Sequence, residues 1–234
     1  MATIKKNDFV EVEYTGKIKE TDDVFDTTDE AVAKKSSIYS ERMMYGPVVV
    51  CVGEKQLLAA LDRQLEGKET GKSYQIELKP EEAFGKKDAK LLKMIPSRIF
   101  REQGIVPIPG LQVSIDGTLG TIRTVAGGRI IVDFNHPLSG KGIAYDVKLK
   151  RLVTDDREKV KEYVRLQLSA KDVDVEIDDN TAKIKIKGLN EELPEAIKEQ
   201  FSKKISELIH SVKKAEFIAE KQESVTSKEE QKNK

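Results

Sequence analysis

An excess of charge of either sign is missing from this chain. Its 234 residues carry 41 basic and 41 acidic side chains, so the formal net charge at neutral pH is zero. No basic stripe with interleaved aromatic residues occurs either. Nucleic-acid binding depends on a positive surface that faces phosphates. These absences therefore argue against a nucleic-acid partner.

Long hydrophobic runs and cysteine pairs are missing too. No stretch approaches the about 18 apolar residues of a membrane span, and residues 1–8 hold no apolar core of signal-peptide length. The chain has one cysteine, Cys51, which excludes an internal disulfide and fits a reducing compartment. Because Cys51 lies in an apolar run, we interpret it as a small core residue rather than a nucleophile. We expect a soluble cytoplasmic protein without a membrane partner.

Residues that would hold a metal or a phosphate are equally scarce. The two histidines, His136 and His210, are too few for an ordinary zinc site. Gly127 and Gly128 lack the spacing and the following Lys-Ser/Thr of a phosphate-binding loop. The sequence therefore predicts no cofactor and no metal.

Regular patterns begin near the start of the chain. Val10, Val12 and Tyr14 alternate with acidic residues, which is typical of a half-buried antiparallel strand. Four leucines then recur at helical spacing before the stop signal Gly67: Leu57, Leu58, Leu61 and Leu65. The pattern predicts a sheet packed on a short amphipathic helix.

The character of the sequence changes twice after Gly85. A short helix at 98–103 and several alternating segments predict a small β-rich unit at 86–131, inserted into the first domain. Two amphipathic helices flank a hairpin pattern in the last third, which predicts an α-β-β-α-β unit at 155–222. Residues 223–234 are almost all polar and are expected to form a disordered tail.

Four short motifs occur in order: Tyr14-Thr15-Gly16, Phe25-Asp26, Pro80-Glu81-Glu82-Ala83-Phe84-Gly85 and Asn135-His136-Pro137-Leu138-Ser139-Gly140-Lys141. The last motif alone is most simply a turn. Together the motifs resemble the FKBP family of prolyl cis/trans isomerases, and within it the SlyD-like members with a domain inserted in the flap. The length is similar to that of the longer archaeal members with an extra C-terminal domain. The resemblance rests on motifs over the first two thirds of the chain, and on length and position alone beyond that.

The resemblance implies an α+β fold in which an antiparallel half-barrel sheet wraps on the short helix. The FKBP-like domain would be discontinuous, made of 1–85 and 132–154, with the insert between its parts. It also implies isomerisation of X-Pro bonds in an apolar pocket without a cofactor. The implied pocket residues are Tyr14, Phe25, Asp26, Val48, Leu57, Leu58, Leu61, Phe84 and Tyr145.

Within this analogy Asp26 is a buried acid beside the pocket, and the backbone N–H of Leu58 holds the substrate carbonyl. A simpler interpretation also stands, in which the leucines are ordinary helix-core residues and Asp26 caps a turn. Two positions depart from the most familiar members, which carry tryptophan where Leu61 stands and often tyrosine where Phe84 stands. The departures put tight binding of the family's macrolide inhibitors in doubt, but not activity.

The expected partners are unfolded or proline-containing polypeptides. We expect five apolar residues of the insert to hold such chains over the pocket: Ile105, Val106, Ile108, Leu111 and Val113. The alternative is that these residues form the insert's own core. A second function is also open, in which the protein is chiefly a holdase-type chaperone with incidental isomerase activity.

The C-terminal unit is expected to fold apart from the rest. Its apolar helix stripe is either free for self-association or for contact with client chains, or it is covered fully by its own strands.

Overall fold

A computed structural model describes residues 2–188 and 193–218. In chain order its strands and helices are β1 (Phe9–Ile18), β2 (Val24–Thr27), α1 (Glu30–Lys35), β3 (Val48–Cys51), α2 (Ala59–Leu65), β4 (Lys72–Leu78), β5 (Leu92–Pro96), α3 (Ser97–Glu102), β6 (Gln112–Ile115), β7 (Thr118–Ala126), β8 (Arg129–Asp133), β9 (Ile143–Leu152), α4 (Asp156–Leu168), β10 (Val173–Asp178), β11 (Thr181–Ile186), α5 (Glu195–Leu208) and β12 (Lys214–Ile218). Short 3-10 turns at Pro80–Glu82 and Ala89–Leu91 complete the set.

The first sheet is antiparallel and five-stranded, in the order β2-β1-β9-β4, with β3 also paired to β1. Its long central pair, β1 and β9, extends from Val10 opposite Leu152 to Ile18 opposite Ile143, with one register shift between Glu11 and Val12. The apolar side of the sheet packs on α2, whose Leu61 is buried in the same core as Val10. The predicted α+β class, with a sheet wrapped on a short helix, is confirmed.

A second antiparallel sheet, in the order β5-β8-β7-β6, is formed by the segment predicted as the insert and the residues directly after it. Together with α3 it encloses a core of its own, formed by Ile95, Phe100, Val113, Ile122, Ile130 and Val132. Strand β8 continues to Asp133, two residues past the predicted end of the insert. The sequence boundaries of the domains stay a prediction.

The third unit follows the predicted order of elements, with α4 before the hairpin β10–β11 and α5 before β12. Strand β12 pairs in parallel with β11. Helix α4 begins where the sequence indicates, because the Asp155 carboxylate accepts the N–H of Arg157 at 3.0 Å. Residues 219–222 of the predicted unit, and the predicted tail 223–234, lie outside the described residues.

The third unit does not form a core apart from the first sheet, which differs from the expectation. Phe9, Val49, Cys51 and Val153 of the front part are buried in one cluster with residues of α4, α5 and the third sheet. An ion pair from Lys204 on α5 to Glu54, at 2.8 Å, joins the same two parts. The C-terminal unit therefore covers the edge of the first sheet that carries β3.

The apolar stripe of α5 is mostly covered, which favours the second of the two alternatives above. Ile205 and Leu208 are buried and Phe201 is half-buried, and Ile209 and Val212, which follow the end of the helix, are buried as well. The Phe201 ring makes edge contacts with Tyr163 and Phe217, with ring centroids 6.2 and 5.7 Å away.

In the described part of the chain, no helix is long and apolar enough to cross a membrane.

Candidate active site

A cavity of about 420 Å³ lies between the first sheet, the start of α2 and the two segments that lead to and from the insert. It is lined by Tyr14, Phe25, Asp26, Gln56, Leu57, Leu58, Leu61, Phe84, His136, Leu138 and Tyr145. The structure thus brings together eight of the nine pocket residues predicted from the sequence. Residues from six separate stretches meet here, mostly with apolar side chains.

Edge-to-face contacts between rings build the aromatic walls. The Tyr145 ring on β9 lies 5.9 Å from the Tyr14 ring and 5.8 Å from the Phe25 ring, centroid to centroid. Phe84 meets Phe25 in the same way at 5.8 Å. Such pairs contribute about 0.5–1.5 kcal/mol each beyond their buried area. The four rings therefore support one another as a fixed surface.

Gly16 makes room for this arrangement. It pairs with Tyr145 across β1 and β9. A Cβ atom at Gly16 would lie 2.7 Å from Tyr145 Cε1 and 2.8 Å from Phe25 Cζ, which is closer than van der Waals contact allows. The glycine of the Tyr14-Thr15-Gly16 motif is thus a packing requirement of the pocket.

Asp26 is the acid in this apolar setting. Burial raises the pKa of Asp26 above its ordinary 3.8, although hydrogen bonds from the Tyr14 hydroxyl and the Thr27 backbone N–H act in the opposite direction. Burial also raises the pKa of Tyr14, with a further contribution from the nearby Asp26 carboxylate. At neutral pH the Tyr14 hydroxyl therefore keeps its proton and donates a hydrogen bond to the Asp26 carboxyl group.

The loop before α2 forms the opposite wall and is held from inside. The buried Asp62 carboxylate accepts the N–H groups of Gly53 at 3.1 Å and Lys55 at 3.0 Å. The side-chain oxygen of Gln56 accepts the N–H of Cys51 at 2.7 Å. These bonds fix the backbone that presents Leu58 to the cavity.

Three lining residues were not predicted: Gln56, His136 and Leu138. The His136 ring stacks on Phe84 with centroids 4.7 Å apart and an interplanar angle of 1°. The Nδ1 atom of His136 accepts the N–H of Leu138 at 3.2 Å. Its place in the Asn135–Lys141 motif is the signal that sequence reasoning had available, whereas nothing in the sequence pattern marks Gln56.

The remaining predicted residues lie elsewhere. Val48 is half-buried and lines a small separate groove with Pro47 and Leu166 rather than the cavity. In the insert, Val113 is buried, and Ile105 and Leu111 pack against the insert core. The side chains of Val106 and Ile108 are exposed, by 78% and 56%.

A larger groove of about 730 Å³ runs along polar residues of β1, β4 and β9. Its carboxylates are engaged, since Glu13 pairs with Lys150 at 2.9 Å and Asp146 with Lys17 at 2.8 Å. Among the described residues, no group of three or more His, Cys, Asp or Glu could hold a metal ion. The apolar cavity is therefore the stronger candidate for the chemistry.

Comparison with known proteins identifies the class. The family model for FKBP-type peptidyl-prolyl cis-trans isomerase matches residues 1–99, and the model described as FKBP26, IF domain, matches residues 93–138. The chain is 32% identical over 148 residues to the short-type peptidyl-prolyl cis-trans isomerase of Methanocaldococcus jannaschii, which covers 63% of this chain and 92% of that protein. The chain belongs to the FKBP-type peptidyl-prolyl cis-trans isomerase family, and it is an enzyme of that class.

Two bacterial relatives match a smaller part of this chain. SlyD of Vibrio cholerae is 31% identical over 111 residues, which make up 44% of this chain and 54% of that protein. The FKBP-type 16 kDa peptidyl-prolyl cis-trans isomerase of Escherichia coli is 31% identical over 107 residues, 44% of this chain and 72% of that protein. These matches confirm the resemblance seen in the motifs.

The raised pKa of Asp26 makes a testable contribution to stability. Its folded-state pKa lies above the unfolded value, so the stabilising contribution is present below pH 3.8 and is lost as the pH rises through the raised pKa. The difference in unfolding free energy between the wild type and Asp26→Asn should fall over that range and stay constant above it. Urea unfolding at a series of pH values measures this difference. A difference that rises with pH would contradict the burial of this carboxyl.

Proposed function

We propose that this enzyme isomerises X-Pro bonds in unfolded or partly folded polypeptide chains. Turnover would take place in the cavity between Tyr145 and Leu58, and the insert would hold the rest of the chain. The observation that carries the proposal is an aromatic cavity bordered by the two segments that lead to an insert with exposed apolar side chains. The location we propose is the cytoplasm.

The cavity suits this reaction because the barrier to rotation about the X-Pro bond arises from electron delocalisation in the amide. Resonance in the X-Pro amide opposes rotation by about 18–20 kcal/mol. The twisted transition state has lost that resonance and its charge separation, so water-free apolar walls favour it over the planar amide. No nucleophile enters such a mechanism.

Two groups would orient the substrate in the cavity. The backbone N–H of Leu58 would hold the carbonyl oxygen of the substrate, on a loop fixed by Asp62. Asp26 would hold the Tyr14 hydroxyl in one direction and so keep the ring in place. Both are positioning roles, which fits a reaction in which no bond is made or broken.

The insert supports the holding role through side chains that its core leaves out. Seven large apolar residues between the cavity segments are exposed: Leu91, Leu92, Met94, Val106, Ile108, Leu119 and Val125. Exposed apolar surface beside the cavity is where an unfolded chain could dock. Of the five insert residues predicted from the sequence, Val106 and Ile108 stay in the proposed contact surface.

The proximity of the insert to the cavity gives the holding role its kinetic effect. Leu92, at the start of β5, pairs with Asp133, three residues before the cavity-lining His136. A chain held on the insert would keep its prolines near the cavity at an effective concentration in roughly the millimolar range. This gain in effective concentration applies to long chains, which can bind the insert and the cavity together, and not to short peptides.

Replacing residues 90–132 with a short glycine-containing flap tests the proposal. Turnover of a short proline peptide should stay within a few-fold, while catalysis of a proline-limited protein refolding reaction should fall by about 10- to 100-fold. The paired change Val106→Ser with Ile108→Ser should reduce refolding catalysis in the same direction without disturbing the insert core. Met43→Ser, at a residue with 51% exposure outside the insert, is the matched control.

The results separate the alternatives. Equal losses on peptide and protein substrates would mean that the insert only shields the cavity. The holdase alternative predicts instead that the protein suppresses aggregation of unfolded chains while peptide turnover is negligible.

Self-association through the C-terminal unit is a further partner proposal. It would use the exposed Ile218 on β12, and sedimentation of Ile218→Ser against the wild type tests it.

A further inference from the structure

We infer that Asp133 and Asn135, with Arg123 and Asp88, form a latch that holds the insert at one angle to the cavity. In this latch Asn135 is a positioning residue for the isomerisation of long chains. The effect on long chains rests on the proposed holding function, whereas the geometry of the latch can be tested without it.

The first half of the latch is a buried carboxylate. The Asp133 side chain is 3% exposed, and its Oδ2 accepts the Nε and Nη2 groups of Arg123 at 3.0 and 2.9 Å. Its Oδ1 accepts the backbone N–H and the side-chain amide of Asn135 at 2.9 and 2.8 Å. Lys87 lies 3.6 Å away on the other segment. Asp133 thereby joins β7 of the insert to both segments that cross to the first sheet.

The second half of the latch is the Asn135 amide. Its Oδ1 accepts the backbone N–H of Asp88 at 2.8 Å, and its Nδ2 donates to the backbone carbonyl of Asp88 at 3.0 Å. One side chain therefore imitates a strand partner and ties the outgoing segment to the returning one. The same Nδ2 also reaches Asp133, so the two halves share a donor.

Burial acts to raise the pKa of Asp133, but hydrogen bonds from Asn135 and the charge of Arg123 hold it below the usual range. The carboxylate is thus an anion at neutral pH. Charge-assisted hydrogen bonds of this kind are shorter and stronger than neutral ones. The latch is therefore a firm contact rather than a transient one.

The same segments continue into the cavity. The Gly140 N–H donates to the Gly85 carbonyl at 2.8 Å, and the Ser139 hydroxyl donates to the Phe84 carbonyl at 2.9 Å. Directly after Asn135 comes His136, which stacks on Phe84 in the cavity wall. The latch is thus one residue away from the substrate surface, and both are built on the same pair of segments.

Without the latch, the two segments that carry the insert would still be joined at Gly85 and Gly140, both at positive φ, but the bonds between Asn135 and Asp88 on the insert side would be gone. An insert that samples many angles presents its apolar surface to the cavity for only part of the time. The effective concentration of a held proline would then fall. Short peptides, which do not use the insert, would be turned over as before.

Asn135→Ala removes the link between the segments, and Asp88→Ala is its matched control. Asn135 bonds Asp88 through the Asp88 backbone and not through its side chain. The control therefore keeps the latch and removes the hydrogen bond that the Asp88 carboxylate accepts from the backbone N–H of Lys90. Spin labels at Ser114→Cys in the insert and Ser73→Cys on β4 report the angle, because both sites are exposed. The native Cys51 is buried and has a pKa raised to about 12 by burial, so it escapes labelling.

We expect a narrow distance distribution in the labelled wild type and Asp88→Ala, and a broad one in Asn135→Ala. In the unlabelled proteins, Asn135→Ala should lower catalysis of protein refolding about five- to tenfold, with peptide turnover within twofold. Arg123→Gln should broaden the distribution as well, which covers the case in which Asn135→Ala does not fold. Both variants are checked by circular dichroism.

An unchanged distribution in both Asn135→Ala and Arg123→Gln would overturn the latch. A broad distribution with unchanged refolding catalysis would overturn the positioning role while leaving the geometry in place. Loss of refolding catalysis on replacing the whole insert, with no loss in the two latch variants, would separate that failure from a failure of the proposed holding function.

Discussion

Tyr145→Ala should lower turnover of a short proline peptide by about 100-fold, which corresponds to about 2.7 kcal/mol of transition-state stabilisation. The side chain is 3% exposed and supports both Tyr14 and Phe25 by edge contacts. Its removal takes away one wall of the cavity and leaves the other rings without support. Truncating a fully buried aromatic residue also costs about 3–5 kcal/mol of folding free energy.

Peptide turnover and urea unfolding measure the two effects separately. Tyr145→Phe should recover most of both, since the ring remains. Tyr39→Ala is the matched control for losing an aromatic residue, because Tyr39 is 41% exposed and outside the cavity. Wild-type turnover in a folded Tyr145→Ala protein would show that the reaction takes place elsewhere.

Ending the chain after residue 154 should destabilise what remains by on the order of 5 kcal/mol or more. The truncation exposes Phe9, Val49, Cys51 and Val153, which now share a core with the C-terminal unit. Burying an apolar side chain of this kind contributes about 1.5–3 kcal/mol each. Because small domains are stable by only about 5–15 kcal/mol, the shortened protein should unfold at far lower urea concentration or aggregate.

Equilibrium unfolding of the full chain and the shortened one measures this difference. Lys204→Ala, which removes the ion pairs to Glu54 and Glu207, should change stability by no more than about 1 kcal/mol and controls for lost charge. An unchanged unfolding midpoint in the shortened protein would contradict the shared core. A shortened protein with Phe9→Ser and Val49→Ser should regain solubility if exposed apolar surface is the cause of aggregation.

Local pattern was sufficient for most elements. The alternation at Val10, Val12 and Tyr14 predicted β1, and the leucine spacing before Gly67 predicted α2, because both periodicities follow from backbone geometry within a few residues. The motif order led to the family and to eight residues that line one cavity. The same information could not predict which of Val106 and Val113 is exposed and which is buried, since both are apolar residues of a small insert. The first is exposed and the second is buried.

The pocket motifs and their order are enough to assign the class of this protein, because both are properties of the chain alone. Three other features become visible only in the folded molecule. The C-terminal unit shares a core with Phe9 and Cys51, Val48 lies outside the cavity, and Asn135 ties its segment to Asp88, 47 residues earlier in the chain. All three depend on contacts between residues distant in sequence. Such contacts depend on how whole elements pack, which no local periodicity records.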